Sequence, residues 1–501
     1  MGNMPNCMKL LFLTWSFSLP MLAAASTEFL LTEASLKTIA DKGSPQLDQI
    51  QASFLASDLQ RTQTNELFAP ELFGRAAYSE TNERAILQFI PIWSPLKQAQ
   101  LGVRQNLKYG FTAEAAVITD QRTASTATTK YNDITSTTLS FTMQMDMWRD
   151  LLGRISKAKL ETVQLDSQRA KIEREIQNKS FIISLRRIYW SLVANQEFTK
   201  ISEEMLAFSQ KQAKETKQRF QNSVAEVDEV ARNEAQVATK KAQLLFFQYQ
   251  KESQLRQLKT LLPELIDSDI VLAPYDLSKA IDIVTACSTE IALEPRIPYQ
   301  NTQYDEATAM IRKVKAQTVV LNSRYADPEV KLYGRAKATG VGSDASGNNT
   351  YNGNYGSSIT DMQSTNRTGY EVGINLVRPL GDAKAETQRT KELYDDKRLS
   401  ASIDASDAQV INTHQQLIKN IVLLNEVIRA QTLSSQQLER RLKFMQKKYQ
   451  QARVSINDLI QDQDALLRAN LTTIEAQLQV LNALFDYLVI YTETPCSFNR
   501  I

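Results

Sequence analysis

From Leu151 to Gln221 the chain has no proline, and its only glycine in that stretch is Gly153, near the start. Proline removes a backbone donor and clashes with the preceding turn, so a run this long without it permits an unbroken helix. At ~1.5 Å rise per residue that helix is roughly 100 Å long. Phe198, Ile201, Met205 and Phe208 recur along it at coiled-coil spacing. Near the C-terminus Leu467, Leu471, Ile474, Leu478, Leu481, Phe485 and Leu488 step alternately by four and three, and Leu438, Leu442, Met445, Tyr449 and Ala452 form the other arm. The seams are narrow and the remaining faces carry Gln, Lys, Glu and Asn. Such helices pack side by side in solvent rather than around a globular core.

The chain repeats this grammar. The segment Arg219 to Val230 parallels Lys448 to Leu459 with Val227 matching Ile456, a separation of 229 residues. Asp150-Leu151-Leu152-Gly153 parallels Pro379-Leu380-Gly381, and Pro70-Glu71-Leu72-Phe73-Gly74-Arg75-Ala76 echoes Pro328 to Ala336 with Gly-Arg-Ala in common. That last offset is larger, so the first copy carries about 29 extra residues, which fall in its strand region. The period is too long for a solenoid and fits a duplicated half-protein.

Each half reads as a helix, a pair of strands and a long helical hairpin. Leu139, Phe141, Met143, Met145 and Met147 alternate with polar residues, as do Leu107, Tyr109, Phe111, Ala113, Ala115 and Val117. In the second half Tyr370, Val372, Ile374 and Leu376 alternate, facing a weaker partner around Val330 to Ala338. Polar loops, Gln121 to Asp133 and Gly340 to Thr368, join them. Strands of about ten residues, apolar on one face, are the signature of a transmembrane β-barrel; a half-buried sheet in a soluble domain gives the same alternation. Four strands per chain are too few to close a barrel, and an open edge in lipid is untenable, so several chains would share one barrel.

The N-terminus has the form of a secretory signal: Lys9, the apolar run Leu10 to Leu22, then Ala23-Ala24-Ala25-Ser26. Cleavage near Ala25 leaves two cysteines, Cys287 and Cys496. An oxidising compartment permits them to pair, and two isolated thiols are the alternative. With 58 Lys+Arg against 56 Asp+Glu there is no basic field for nucleic acid. The single histidine, His414, reads as a solvated residue of a polar helix. One histidine and three cysteines disfavour metal centres and His-based triads, and no phosphate-binding loop, metal cluster or nucleophile constellation is visible. A non-enzyme without cofactor is expected.

The ordered set of signal, two strand pairs, two hairpins and their Phe220–Val230 and Tyr449–Leu459 turns resembles the TolC-like outer membrane efflux protein family. The resemblance implies an α+β membrane protein whose long hairpins form a periplasmic α-barrel. Four strands per chain would enter a trimeric twelve-stranded outer-membrane β-barrel. It divides the chain into a signal peptide (1–25), a first repeat (26–265, strand pair about 101–148, hairpin 151–262) and a linker or equatorial segment (266–300). A second repeat (301–492, strand pair about 329–378, hairpin 383–492) and a tail (493–501) follow. It implies a passive exit duct for efflux or type I secretion, fed by a periplasmic adaptor and an inner-membrane transporter. A non-transporting coiled-coil envelope protein and an adaptor are the rival readings.

By the same resemblance, a tyrosine, an arginine and a ring of acidic side chains gate the periplasmic tip. Tyr449 matches the tyrosine, Asp458 an aspartate of the ring and Glu229 the acidic partner on the first hairpin. Val454 occupies the arginine position with Arg453 beside it, and Gln461 replaces a second aspartate. Ser223, Val224 and Ala225, with Ala452, Arg453 and Val454, mark the turns where adaptor tips would dock. Ser223 and Ala452 stand where the family has glycine, and Asp150 where it has proline at the first junction. Trp148, Tyr109, Tyr333 and Tyr370 are candidates for interfacial aromatic belts.

Overall fold

The computed structural model describes residues 28–83, 90, 92–125, 130–293, 302–342, 353–364, 367–378, 380–451 and 453–491. The expected signal peptide, the C-terminal tail with Cys496, Pro379 and Ala452 lie outside the described residues.

A short strand β1 (Glu28–Leu31) and helices α1 (Glu33–Gly43) and α2 (Pro45–Glu66) lead into four consecutive strands. These are β2 (Glu71–Ser79), β3 (Ile92–Leu107), β4 (Phe111–Ser125) and β5 (Lys130–Asp146). The first hairpin follows as α3 (Arg154–Gln221) and α4 (Val227–Leu261), then β6 (Asp269–Leu272), α5 (Leu277–Leu293) and α6 (Gln303–Ser323). The second half continues with β7 (Glu329–Val341), α7 (Tyr355–Ser364), β8 (Thr368–Val377), α8 (Ala383–Gln450) and α9 (Ile456–Ile490).

The proline-free stretch is one helix: α3 has 68 residues, and so does α8. Their partners α4 and α9 have 35 each. The two hairpins begin at 154 and 383 and their second arms at 227 and 456, the same separation of 229 residues. No helix among the described residues is long and apolar enough to cross a membrane.

The strand count differs from the expectation. Among the described residues six strands, not four, form one antiparallel sheet in the order β2-β3-β4-β5-β7-β8. The run Leu107 to Val117 is not one strand. A turn at residues 108–110, with Gly110 at φ +77°, ends β3 and starts β4. Alternation continues across a tight turn of three residues, which is why the two strands read as one. The extra length of the first half is thus taken up by an additional pair of strands. Both polar loops are also shorter than expected: β4 and β5 extend to Ser125 and from Lys130, and α7 lies inside the second loop.

The main core sits midway along the hairpins. Leu185, Leu192 and Val193 of α3 pack with Val480, Leu481, Leu484 and Phe485 of α9, and Leu31, Leu36, Leu258 and Val284 join them. Burying a side chain of this size contributes about 1.5–3 kcal/mol. The expected linker therefore supplies core: β6 pairs in parallel with β1, and α5 buries Leu277, Ile281 and Val284. Cys287, also buried, is disulfide-bonded. His414 is not a solvated residue. Its ring lies 6.1 Å from Tyr487 and 6.0 Å from Tyr491, and burial pushes its pKa down. The polar composition of the surrounding helix hid the aromatic pair contributed by α9 (Tyr487) and the residue that ends it, Tyr491.

The sheet and the long helices are joined at a tight junction. Asp150 accepts hydrogen bonds from the backbone N–H of Ile155 (2.6 Å) and Ser156 (3.1 Å), capping α3 where a proline was the expected residue. Gly153 has φ +74°, and a Cβ there would lie 2.3 Å from the Lys108 carbonyl and 2.5 Å from Tyr109 Cα. The β3–β4 turn thus rests on the helix start with no room for a side chain. Gly153→Ala is expected to lower the unfolding temperature of the detergent-solubilised protein and cut its folded yield. Gly43→Ala, where a Cβ meets nothing within 4 Å, should change neither; circular dichroism melts compare the two.

Candidate functional site

The first candidate surface is the sheet. Residues in register across all six strands share chemistry. One row on one face reads Leu72, Val103, Ala115, Phe141, Ala336, Tyr370, and the next reads Gly74, Leu101, Val117, Leu139, Ala338 and, at the start of β8, Thr368. A row on the opposite face reads Glu71, Arg104, Glu114, Thr142, Arg335, Glu371. There Arg335 pairs with Glu371 at 3.7 Å, and Tyr333 donates its hydroxyl hydrogen to Glu371 at 2.9 Å. Tyr333 therefore belongs to the polar face, not to an outward aromatic belt. Tyr109 and Trp148 lie at the helix-side end of the sheet and Tyr370 on the apolar face.

The apolar face is uncovered. Tyr370, Val372 and Ile374 are 91, 72 and 71% exposed. A row of large apolar side chains left in water would cost about 1.5–3 kcal/mol each relative to burial. Along β5 the apolar run from Met145 to Leu139 gives way to Thr137, whose hydroxyl meets that of Ser358 on α7 at 2.7 Å. At ~3.3 Å per residue the six steps from Met145 to Leu139 give an apolar band of roughly 20 Å along the strand, on the scale of an outer-membrane barrel's lipid-facing belt.

The second candidate surface is the free end of the hairpins. Both turns close the same way. Val224 N–H donates to the Arg219 carbonyl at 2.8 Å and Ser223 N–H to that of Phe220 at 2.8 Å, while Arg453 N–H donates to Lys448 at 2.9 Å. This six-to-one closure places its central residue in the left-handed region that favours glycine, and Ser223 has φ +62°. Ser223 and Val224 are exposed, as is Arg453, while Ala225 and Val454 are half-buried.

The candidate gate residues separate into two groups. Asp458 is exposed and forms a capping box with Ser455, accepting its hydroxyl hydrogen at 2.7 Å, so its carboxylate serves the start of α9. Gln461 is exposed, and Glu229 is half-buried. Tyr449, in contrast, is buried at the centre of a polar network. Its hydroxyl is 3.0 Å from that of Thr216, which accepts from Asn233 Nδ2 at 3.1 Å. The Arg219 guanidinium lies 4.6 Å from the Tyr449 ring centroid and donates to the Tyr449 carbonyl at 3.1 Å. The arginine paired with Tyr449 thus comes from α3, and Arg453 does not fill that role.

A further polar layer lies above it. Gln463 donates to Gln212 at 2.6 Å, Arg441 pairs with Asp462 at 2.9 Å, and buried Lys240 pairs with Asp464, which also accepts from Gln236 at 3.0 Å. Asp464 is the carboxylate held between the hairpins, Asp462 joins the two arms of the second hairpin, and Gln461 takes no part in either pair. The seam of α9 carried one step back from Leu467 lands on Asp464, and a charge at a seam position requires a buried partner. That sign was present in the sequence.

No family model matches the chain, and no curated relative does. Solved structures share its fold. The outer membrane protein VceC of Vibrio cholerae matches with a TM-score of 0.60 at 14% identity, over 91% of this chain and 95% of that one. The outer-membrane channel OprN matches with a TM-score of 0.60 at 15% identity, over 93% and 92% of the two chains. The CmeC outer membrane channel of Campylobacter jejuni matches with a TM-score of 0.59 at 13% identity, over 97% and 93%. The chain therefore has the fold of the TolC-like outer membrane channels over nearly its whole length.

Removing one member of a buried ion pair strands the other. Asp464→Leu should destabilise the tip by about 2 kcal/mol, less than a fully buried pair because Asp464 is partly exposed. Amides around 236–243 and 460–467 should then exchange hydrogen more than tenfold faster, and adding Lys240→Met should restore most of the protection.

Proposed function

We propose that the chain is the outer-membrane exit duct of a tripartite efflux pump or a type I secretion system. In this reading it is an oligomeric channel, a homotrimer by the resemblance, that conducts substrate passively from a periplasmic adaptor and an inner-membrane transporter to the outside. The carrying observation is the uncovered apolar face, continuous over six strands, on a sheet whose opposite face is charged. A periplasmic adaptor or a non-transporting coiled-coil protein has no use for an apolar belt roughly 20 Å long on one face of a sheet. Exposed Phe246 and Tyr249 on α4 and Val422 and Leu423 on α8 leave the tunnel helices with further apolar faces for neighbouring copies. The channel needs no cofactor, since the energy comes from the inner-membrane partner. Outer-membrane lipid meets the apolar rows, and adaptor tips meet the turns around Ser223–Ala225 and Ala452–Val454.

Gating falls to the polar contacts between the hairpins. Tyr449 with Arg219 and Thr216, and Asp464 with Lys240, tie α8 and α9 to α3 and α4 near the tip, so the tip widens only when these ties exchange for water. Asp458, repeated by symmetry, attracts cations at the entrance.

Separated membranes and the mass of the detergent-extracted assembly test the duct. A trimer in the outer-membrane fraction that conducts ions in planar bilayers is expected; a monomer released with the periplasm would refute the channel. Arg219→Ala should raise single-channel conductance several-fold over the closed wild type, and Tyr449→Phe less so, because the ring stays for Arg219 to cover. Asp458→Asn should lower cation preference in reversal potentials, and an unchanged preference would remove Asp458 from the pore.

A further inference from the structure

We propose that the barrel has eighteen strands, six from each of three copies, closed by an antiparallel seam between β8 of one copy and β2 of the next. The proposal rests on the outer-membrane reading above and replaces the twelve strands that the family resemblance implies.

The first argument is continuity. The strands that exceed the expected count lie inside the wall and not beside it, because both faces run unchanged onto β3 and β2. Leu72 and Gly74 continue the apolar rows, and Glu71 continues the charged one. A hairpin folded against loops or lumen would have no reason to keep both faces in step with β4 and β5.

The second is closure. The sheet ends at β2 and β8, which are not paired with each other. Each presents a free backbone edge within the apolar band, and lipid satisfies neither donors nor acceptors. Six strands closing on themselves would leave less interior than the eight that just accommodate side chains, whereas sixteen to eighteen enclose an aqueous channel. With six alternating strands per copy, β8 meets the next copy's β2 antiparallel, so the ring closes without a parallel step.

The third is the internal repeat, which supplies a template for the seam. The strand preceding the first tunnel helix, β5, pairs with β7, the strand containing Gly334-Arg335-Ala336. The strand preceding the second, β8, has β7 on one side and no partner on the other, and β2 contains Gly74-Arg75-Ala76. Counted back from the helix starts at Arg154 and Ala383, Phe141 corresponds to Tyr370, Thr142 to Glu371 and Met143 to Val372. The pairs Phe141–Ala336, Thr142–Arg335 and Met143–Gly334 then carry over as Tyr370–Ala76, Glu371–Arg75 and Val372–Gly74 between copies. Sizes and charges agree: large outward side chains meet Ala and Gly, and Glu371 meets an arginine. On its other side β8 already faces the same triplet, with Tyr370, Glu371 and Val372 opposite Ala336, Arg335 and Gly334. Within its own chain Arg75 is in register with uncharged Gln100 alone.

Cysteine pairs test the seam in the full-length protein. Ala76→Cys is combined in turn with Tyr370→Cys, Val372→Cys or Ile374→Cys, oxidised in isolated outer membranes and run without reductant. A covalent trimer forming fastest with Tyr370→Cys is the expected result. A fastest reaction at Val372→Cys or Ile374→Cys would overturn the Glu371–Arg75 register. An outer-membrane trimer that none of the pairs links would overturn the seam and the eighteen-strand count while leaving the duct intact. A monomer or a periplasmic protein would instead overturn the duct itself. Arg75→Glu supplies a readout without cysteines: opposed to Glu371 across the seam it should abolish the SDS-resistant trimer, and Arg75→Lys should keep it. Equal trimer yields from the two variants would count against the pair.

Discussion

Everything in the upper part of this molecule follows from the cost of an unpaired backbone group. The uncovered face of the sheet is apolar over every strand, so its comfortable surroundings are lipid, and lipid offers no partner to an N–H or C=O. An open sheet with such a face is half of an unfinished object. The same constraint sets the strand number as even, since only an alternating ring closes antiparallel on itself. Side-chain chemistry then assigns the faces: the Glu71 to Glu371 row, with Arg104 between two carboxylates and Arg335 beside Glu371, suits a hydrated interior.

The helical part is governed by a different balance. Hairpins of 68 and 35 residues cannot bury more than a stripe of each helix, so stability concentrates where several elements converge. That place is the belt around Phe485 and Trp190, where β1, β6 and α5 add layers. Toward the tip the same seams thin out, and polar side chains replace leucine. The junction at Asp150 and Gly153 connects the two regimes, fixing where a strand of period two becomes a helix of period 3.6.

Much of this was legible in the sequence, and the failures have identifiable causes. The helices and their turns were visible because proline-free heptads of that length admit little else. Strand faces were visible from alternation at Leu139 to Met147 and at Tyr370 to Leu376. Strand number was not, because a three-residue turn at 108–110 preserves parity and merges β3 with β4. Tyr449 was found by position, but its partner Arg219 lies on the other hairpin, 230 residues away in the chain. Pairing across such a distance leaves no local trace, and Asp464 at a seam position was the one sign of it.

Polar character at the tip sets how easily the hairpins part in the proposed duct. A buried ion pair gains in attraction about what it loses in desolvation, so exchanging Lys240 and Asp464 for leucines would be neutral or stabilising. Tyr449, Thr216 and Asn233 likewise trade protein partners for water at a net cost near 1 kcal/mol per bond. A leucine seam in the same place would have to expose apolar area at about 25 cal/mol per Å² to separate. Polar ties hold the hairpins in register while keeping the difference between joined and separated states small. Under the proposed function, an adaptor docking at the turns would need only modest binding energy to shift the equilibrium toward the open tip.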